Sequence, residues 1–197
     1  MNEDAQIVLA SASPRRRELL RQIGVRFRQQ VAEIDESRRR NEGLRDYVTR
    51  LALEKARAVA RLGDAGALPV LGADTIVALG DRALGKPAGP EQAREMLSAL
   101  SGRSHEVMTA VALAGSGEAL ALSVSRVWFR PLTEQEIEDY WRSGEPRDKA
   151  GAYAIQGLGA VFVERLEGSY SGVMGLPLYE TARLLQDSGI QLLDRYR

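Results

Sequence analysis

Serine and arginine side chains are concentrated in one short segment that could bind phosphate. Residues 11–17 read SASPRRR, and the pair Ser13-Pro14 predicts the N-cap and first residue of a helix. Free backbone N–H groups at a helix start, with hydroxyl and guanidinium groups beside them, form a favourable site for anions. Three arginines in a first turn oppose the helix dipole, which favours a bound anion over a solvated charge run. The glycines of a Walker loop are missing, so the pattern predicts phosphate binding without indicating which phosphate compound.

An aspartate stands at the centre of an otherwise apolar segment. The sequence PVLGADTIVAL predicts a buried strand over 70–79 with Asp74 in its middle. Burying an unpaired carboxylate is costly, so a metal ion or a basic partner is implied. Asp74 could hold a magnesium ion or accept a proton from water. The alternative is a structural carboxylate that caps a neighbouring loop.

Lysine is rare among the basic residues. Of 27 Lys and Arg side chains only three are lysines, Lys55, Lys86 and Lys149. Arginine fills most positions where a solvated cation suffices, so we expect the lysines where a compact ammonium is needed, for example in the rigid Gly85-Lys86-Pro87 loop. The alternative is that some are ordinary surface lysines.

Composition excludes several classes of chemistry. The 27 basic residues balance 27 acidic ones in 197 residues, so no global field attracts nucleic acid or anionic lipid. The chain has no cysteine and one histidine, His105, which excludes thiol nucleophiles, disulfides and multi-histidine metal sites. A metal would then be a hard ion held by carboxylates. The loop residues Glu33, Asp35 and Glu36 offer such groups, or are simply solvated, and His105 is expected to be structural.

The predicted elements mix strands and helices. Periodicity predicts strands over 6–10, 25–31, 70–79, 105–113, 119–129 and 160–166, and helices from Pro14, over 44–62, from Pro90, after the Thr133 capping box, and from Pro177. The two long runs separated by GSGE predict antiparallel pairing. We therefore expect an α/β fold, a twisted mixed β-sheet with flanking helices in two lobes around a central cleft. No stretch approaches a membrane span, and we expect a cytoplasmic protein without membrane or nucleic-acid partners.

Ordered motifs along nearly the whole chain resemble the Maf family of nucleoside triphosphate pyrophosphatases. In chain order they are LASASPRRRELL, VAEIDE, LALEKA, GADTIV, LGKP, LSGRSHEV, DKAGAYAIQG and GSYSGVMGLPLYET. The last two look like the branch of the family that acts on dTTP and UTP. The resemblance implies one domain over 1–197, a fold similar to inosine triphosphate pyrophosphatases, a divalent cation (Mg²⁺, or Mn²⁺) and a homodimer.

The same resemblance implies roles for individual residues. Asp74 would be the proton acceptor and a metal ligand, with Glu33 as a second metal carboxylate. The substrate would be bound by residues of several motifs: Ser11, Ser13, Arg15, Arg16, Lys55, Thr75, Lys86 and Gln156. Among these, Arg15, Thr75 and Gln156 would set specificity.

The expected function is hydrolysis of dTTP, UTP and modified pyrimidine analogues between the α and β phosphates, to the monophosphate and pyrophosphate. Its role would be nucleotide-pool cleansing or control of cell division. One alternative is a nucleotide-binding regulator of septum formation without turnover, and another is a nucleic-acid-binding protein that uses the arginine-rich segments around Arg15 and Arg38. Asp74 argues against both, because a buried acid near a phosphate does not help binding alone.

Overall fold

The computed structural model describes residues 5–63, 65–115 and 117–192. Seven strands and six α-helices occur in these ranges, with three short 3₁₀ helices at Glu145–Asp148, Ala150–Ala152 and Leu158–Phe162. The strands and α-helices are, in chain order, β1 (Ile7–Leu9), α1 (Pro14–Gln22), β2 (Phe27–Gln29), α2 (Leu44–Arg61), β3 (Val70–Leu79), β4 (Arg82–Leu84), α3 (Pro90–Leu100), β5 (Ser104–Ala114), β6 (Ala119–Phe129), α4 (Glu134–Arg142), β7 (Val163–Glu167), α5 (Tyr170–Met174) and α6 (Leu178–Asp187).

The strands form a mixed sheet, as predicted. Its order is β2-β1-β3-β5-β6-β7, with β4 paired to β3. Strand β1 lies parallel to both β2 and β3, whereas β4 on β3 and β7 on β6 are antiparallel. The sheet brings the strand before α1 next to the strand that carries Asp74, because Leu9 is paired with Leu71.

The chain divides into two compact units. Of the described residues, those up to Asp74, from Thr109 to Ser123 and from Gly175 onwards form the first unit, and the remainder form the second unit. The first unit has a small aliphatic cluster that includes Val8, Val59 and Val70. The second unit has a larger core that contains most of the buried aromatic rings, among them Phe129, Tyr140, Tyr153 and Phe162.

Helix starts follow the local sequence. Ser13 Oγ accepts from the Arg16 backbone N–H at 3.5 Å, and Pro14 is the first residue of α1. At α4, Thr133 Oγ1 accepts from Glu136 N at 3.2 Å, while the Glu136 carboxylate accepts from Thr133 N at 2.9 Å. The predicted serine cap and the predicted capping box are therefore both confirmed.

The predicted strand over 160–166 is wrong in its first half. Residues Leu158–Phe162 form a 3₁₀ helix, and strand β7 begins only at Val163. The helical turn buries Phe162 against Tyr140, with ring centroids 4.9 Å apart, so packing of an aromatic pair overrides the apolar, strand-like pattern. The following loop also contains the short helix α5, which the sequence pattern did not indicate.

No helix within the three described ranges is long and apolar enough to cross a membrane.

Candidate active site

Helix α2 packs closely on strand β3 at Gly72. A Cβ atom on Gly72 would lie 2.2 Å from the Ala52 carbonyl oxygen and 2.8 Å from the Ala56 amide nitrogen, so a side chain here would clash with helix backbone. Lys55 shares this helix face with Ala52, three residues earlier, and Asp74 shares the strand face of Gly72, two residues earlier. The close packing therefore brings Lys55 and Asp74 together.

Asp74 is buried and paired with Lys55. The residue is 8% exposed, and Lys55 Nζ lies 2.7 Å from its Oδ1. Burial raises the pKa of the Asp74 carboxyl, and the nearby Glu36 carboxylate raises it further, while the Lys55 and Arg16 cations act in the opposite direction. Lys55 is thus the basic partner that the buried carboxylate implied. Among the described residues, the hydrogen bonds of the Asp74 side chain do not cap a loop.

The segment between β1 and α1 is organised around Ser11. This buried serine accepts from Ser13 N at 3.2 Å and from the Arg16 guanidinium at 3.1 Å. Arg16 Nε also donates to the Gly175 carbonyl at 2.8 Å, which fixes the guanidinium. Burial lowers the pKa of Arg16, and the Asp74 carboxylate opposes this change. Arg15, the next candidate, is half-buried at the first turn of α1.

Glu36 is the loop carboxylate that reaches this cluster. Its Oε1 lies 2.9 Å from Lys55 Nζ although its side chain is 59% exposed. Glu33, the predicted metal ligand, is exposed as well. Tyr47 Oη donates to the Glu36 carbonyl at 2.8 Å, and Arg50 donates to the Ser37 carbonyl at 2.9 Å, so helix α2 holds the loop. The role of Glu33 stays a prediction.

Tyr47 and Arg50 were not identified from the sequence. They lie three residues apart on α2, and Arg50 also pairs with Glu42 at 2.6 Å and with Glu54, four residues on, at 3.0 Å. The sequence carried one signal for Arg50: it is spaced i, i+4 from Glu54 on the helix, just before Lys55, which is the spacing of a helical ion pair. Periodicity could not show that Tyr47 and Arg50 donate to the loop backbone at 36–37.

Two carboxylates are available for the divalent cation that the family implies. Asp74 and Glu36 both contact Lys55 Nζ, and among the described residues no group of three or more His, Cys, Asp or Glu side chains could hold a metal. Magnesium is commonly bound through one or two carboxylates with water and substrate phosphates completing its shell. The donor set around Lys55 fits that mode, in which the nucleotide itself supplies ligands.

The second unit contains the remaining candidates. Thr75 follows Asp74 in β3 and is half-buried, and Lys86 is exposed in the loop after β4. The Lys86 loop is fastened by a hydrogen bond from Gly151 N to the Gly85 carbonyl at 3.1 Å. Gln156 is exposed in a turn that is closed by Gly157 N donating to the Ala154 carbonyl at 3.3 Å.

Lys149 and His105 each contact another side chain of the second unit. Lys149 is paired with its neighbour Asp148. His105 is 3% exposed, its Nε2 lies 2.8 Å from Tyr153 Oη, and burial lowers its pKa to about 4. A buried imidazole of this kind is neutral at pH 7, in agreement with the expected structural role.

Comparisons with known proteins agree with the motifs. The family model described as Maf-like protein matches residues 6–188. The chain is 51% identical over 188 residues to a dTTP/UTP pyrophosphatase of Vibrio parahaemolyticus, which covers 95% of this chain and 99% of that protein. It is 56% identical over 183 residues to a dTTP/UTP pyrophosphatase of Escherichia coli O157:H7, with 92% of each chain covered.

Among solved structures, a HAM1 protein from Coxiella burnetii has a similar fold. The TM-score is 0.51 at 21% identity, and the match covers 93% of this chain and 99% of that one. At this identity the likeness concerns the fold alone, and it agrees with the expected mixed α/β fold.

Proposed function

The chain belongs to the Maf family, and we propose on this basis that it hydrolyses dTTP and UTP between the α and β phosphates. The products are the nucleoside monophosphate and pyrophosphate. Relatives more than 50% identical over nine-tenths of the chain carry the name of this activity. The structural observation that supports the proposal best is the buried Lys55–Asp74 pair at 2.7 Å, because hydrolysis of a phosphate anhydride needs a base for water and a cation for the phosphates.

The reaction is a displacement at the α phosphorus. Water forms a new P–O bond there, the bond between the α phosphorus and its bridging oxygen breaks, and pyrophosphate leaves. Asp74 accepts the proton of the attacking water. Burial raises the pKa of Asp74, which makes it a stronger base than an ordinary aspartate, while the Lys55 and Arg16 cations favour its ionised form.

Basic residues bind the phosphates and neutralise the charge that develops on the leaving group. Lys55 and Arg16 lie beside Asp74, Arg15 stands in the same helical turn, and Lys86 supplies a further ammonium. A divalent cation, when bound, polarises the phosphoryl oxygens and lowers the pKa of bound water. Asp74 and Glu36 would hold it, and Glu33, which is exposed like Glu36, is the alternative on the same loop.

Gln156 reads the base in this proposal. Uracil and thymine present an N3–H donor beside the O4 acceptor, and a glutamine amide offers the complementary carbonyl and NH₂. Thr75 and Arg15 complete the specificity residues. The same amide, flipped, would suit cytosine, so discrimination depends on how firmly the Gln156 loop is held.

The chain acts as one catalytic domain over 1–197, as a homodimer in the cytoplasm, with Mg²⁺ or Mn²⁺ as its cation, and it serves nucleotide-pool cleansing or cell division control. The equal numbers of basic and acidic residues support the absence of a nucleic-acid partner.

A panel of canonical and modified triphosphates, assayed with Mg²⁺ for every product, tests the proposal. We expect UTP and dTTP to give equal amounts of monophosphate and pyrophosphate. Release of inorganic phosphate with the diphosphate, or tight binding of UTP without turnover, would show a different reaction or a binding protein.

A further inference from the structure

The loop that carries Gln156 is fastened on both sides by two side chains. Before Gln156, the Ala154 backbone N–H donates to Tyr140 Oη at 3.0 Å. After it, the Leu158 and Gly159 N–H groups donate to the Glu145 carboxylate at 2.9 and 3.0 Å. Three backbone N–H groups that flank Gln156 are therefore satisfied by side chains from outside the loop.

Tyr140 and Glu145 form a single network. Tyr140 Oη donates to Glu145 Oε1 at 2.6 Å while it accepts from the loop. Tyr140 is 5% exposed, and its ring contacts Phe162 in the core of the second unit. Because Tyr140 is anchored in this core, the network fixes the Gln156 loop relative to helix α4.

The electrostatics keep the Glu145 carboxylate charged. Burial would raise the pKa of Glu145, but the hydrogen bonds from Tyr140, Gly159 and Leu158 lower it, and the net pKa lies below the ordinary value. Burial and the Glu145 charge together raise the pKa of Tyr140, which stays a phenol. An ionised acceptor with three donors gives short, strong hydrogen bonds.

Gly157 shows how closely the loop fits this carboxylate. A Cβ atom at Gly157 would lie 2.1 Å from Glu145 Oε2 and 2.5 Å from its carboxyl carbon. The Glu145 carboxylate thus occupies the space that the side chain of any other residue at position 157 would need. Neither Tyr140 nor Glu145 is among the residues to which the family resemblance assigned a role.

We propose that Tyr140 and Glu145 are positioning residues for base selection, which act by fixing the turn that presents the Gln156 amide. The inference rests on the proposed function, since it requires that Gln156 reads a pyrimidine base. A fixed turn holds the Gln156 side chain at one place and distance relative to the base, and a loosened turn lets it take other placements, including ones that pair with cytosine. The network acts on the base and leaves phosphate binding unchanged.

The test compares Glu145→Gln and Tyr140→Phe with the wild type and with Glu164→Gln, a matched control at an exposed glutamate of β7. For each protein we would measure kcat/KM for UTP and CTP, inhibition by inorganic pyrophosphate, and the melting temperature. In both network variants we expect the UTP-over-CTP preference to fall roughly fivefold or more, as expected when a buried hydrogen-bond partner is lost. Pyrophosphate inhibition should stay within about twofold of the wild type, because the phosphate contacts are intact.

The possible results distinguish failure of the positioning role from failure of the proposed function. A wild type that does not turn over UTP overturns the proposed function. A wild type that prefers UTP, with network variants that keep that preference or lose UTP and CTP turnover equally, overturns only the positioning role. If Glu145→Gln does not melt cooperatively, Tyr140→Phe decides, because it removes only the hydroxyl and keeps the ring in the core.

Discussion

Lys55 Nζ lies 2.7 Å from Asp74 Oδ1, although the two residues stand on different elements and 19 positions apart. The contact depends on Gly72, which lets the backbone of α2 approach β3 at Ala52. The segments LALEKA and GADTIV therefore act as one structural feature. Their small residues set the distance between helix and strand, and their charged residues meet across that distance.

Substitution of Gly72 by alanine should separate this pair. The new Cβ would lie 2.2 Å from the Ala52 carbonyl oxygen, so helix and strand must move apart. We expect a loss of about 1–3 kcal/mol in the free energy of unfolding, which is typical of overpacking, together with reduced UTP hydrolysis. Urea denaturation measures the first effect. Gly117→Ala, at a position with open space around the missing Cβ, is the control, and equal stability of the two variants would contradict the packing argument.

Much of the fold follows from local patterns. The Ser13-Pro14 start of α1 and the Thr133–Glu136 capping box rest on interactions within a few residues, and the buried strand around Asp74 is marked by a continuous apolar run. All three occur as predicted. The segment at 158–162 does not, because the position of Phe162 is set by Tyr140, which lies on a distant helix. An apolar run alone cannot distinguish that arrangement from a strand.

The site was partly predictable for the same reason. A buried Asp74 required a metal or a basic partner, and the rare lysines were site candidates, so a basic partner could be anticipated from chemistry but its identity as Lys55 could not. The loop over 33–36 carries three acidic residues without any periodic order. Which of them faces Lys55 depends on hydrogen bonds from Tyr47 and Arg50 to the loop backbone, and these contacts exist only in the folded chain.

His105 should make stability depend on pH. Its folded-state pKa of about 4 lies below the ordinary histidine value of 6.5, so between pH 4 and 6.5 the unfolded chain binds the proton more tightly than the folded chain. The stability from neutral His105 is present above pH 6.5 and is lost as pH falls towards 4, by up to about 3 kcal/mol.

Urea denaturation at several pH values between 4 and 7 measures this loss. His105 is the only histidine of the chain, so the comparison with His105→Phe isolates its contribution and cancels those of the carboxylates. The unfolding free energy of the wild type minus that of His105→Phe should decrease as pH falls. A difference that is constant over this range would contradict the depressed pKa.

Replacement of Lys86 by arginine should not be conservative. Lys86 stands between Gly85 and Pro87 in a loop fastened to Gly151, and a planar guanidinium cannot replace a compact ammonium in such a fixed position. We expect kcat/KM for UTP to fall about tenfold, equivalent to one charge-assisted hydrogen bond. Arg94→Lys, at an exposed position of α3, should leave it unchanged. Equal catalytic efficiency of Lys86→Arg and wild type would make Lys86 an ordinary surface residue.

Gln156→Glu should reduce base selectivity. A carboxylate cannot donate to O4 of uracil, and a locked, correctly paired edge is worth about 1–3 kcal/mol. The wild type should therefore prefer UTP over CTP by roughly tenfold or more, and the variant should lose most of that preference. Steady-state kinetics with both nucleotides checks this, with Gln186→Glu on the exposed side of α6 as control. If the variant keeps the full ratio, the base is read elsewhere.

The most direct measurement is product formation from UTP by Asp74→Asn beside the wild type. The substitution keeps the shape of the side chain and removes the charge that accepts the proton, and loss of a general base costs on the order of 100-fold or more. Asp187→Asn, at the exposed end of α6, controls for the loss of a negative charge. We predict stoichiometric UMP and pyrophosphate from the wild type and the control, and at least about 100-fold slower turnover by a folded Asp74→Asn. Near-normal turnover by that variant would contradict the account.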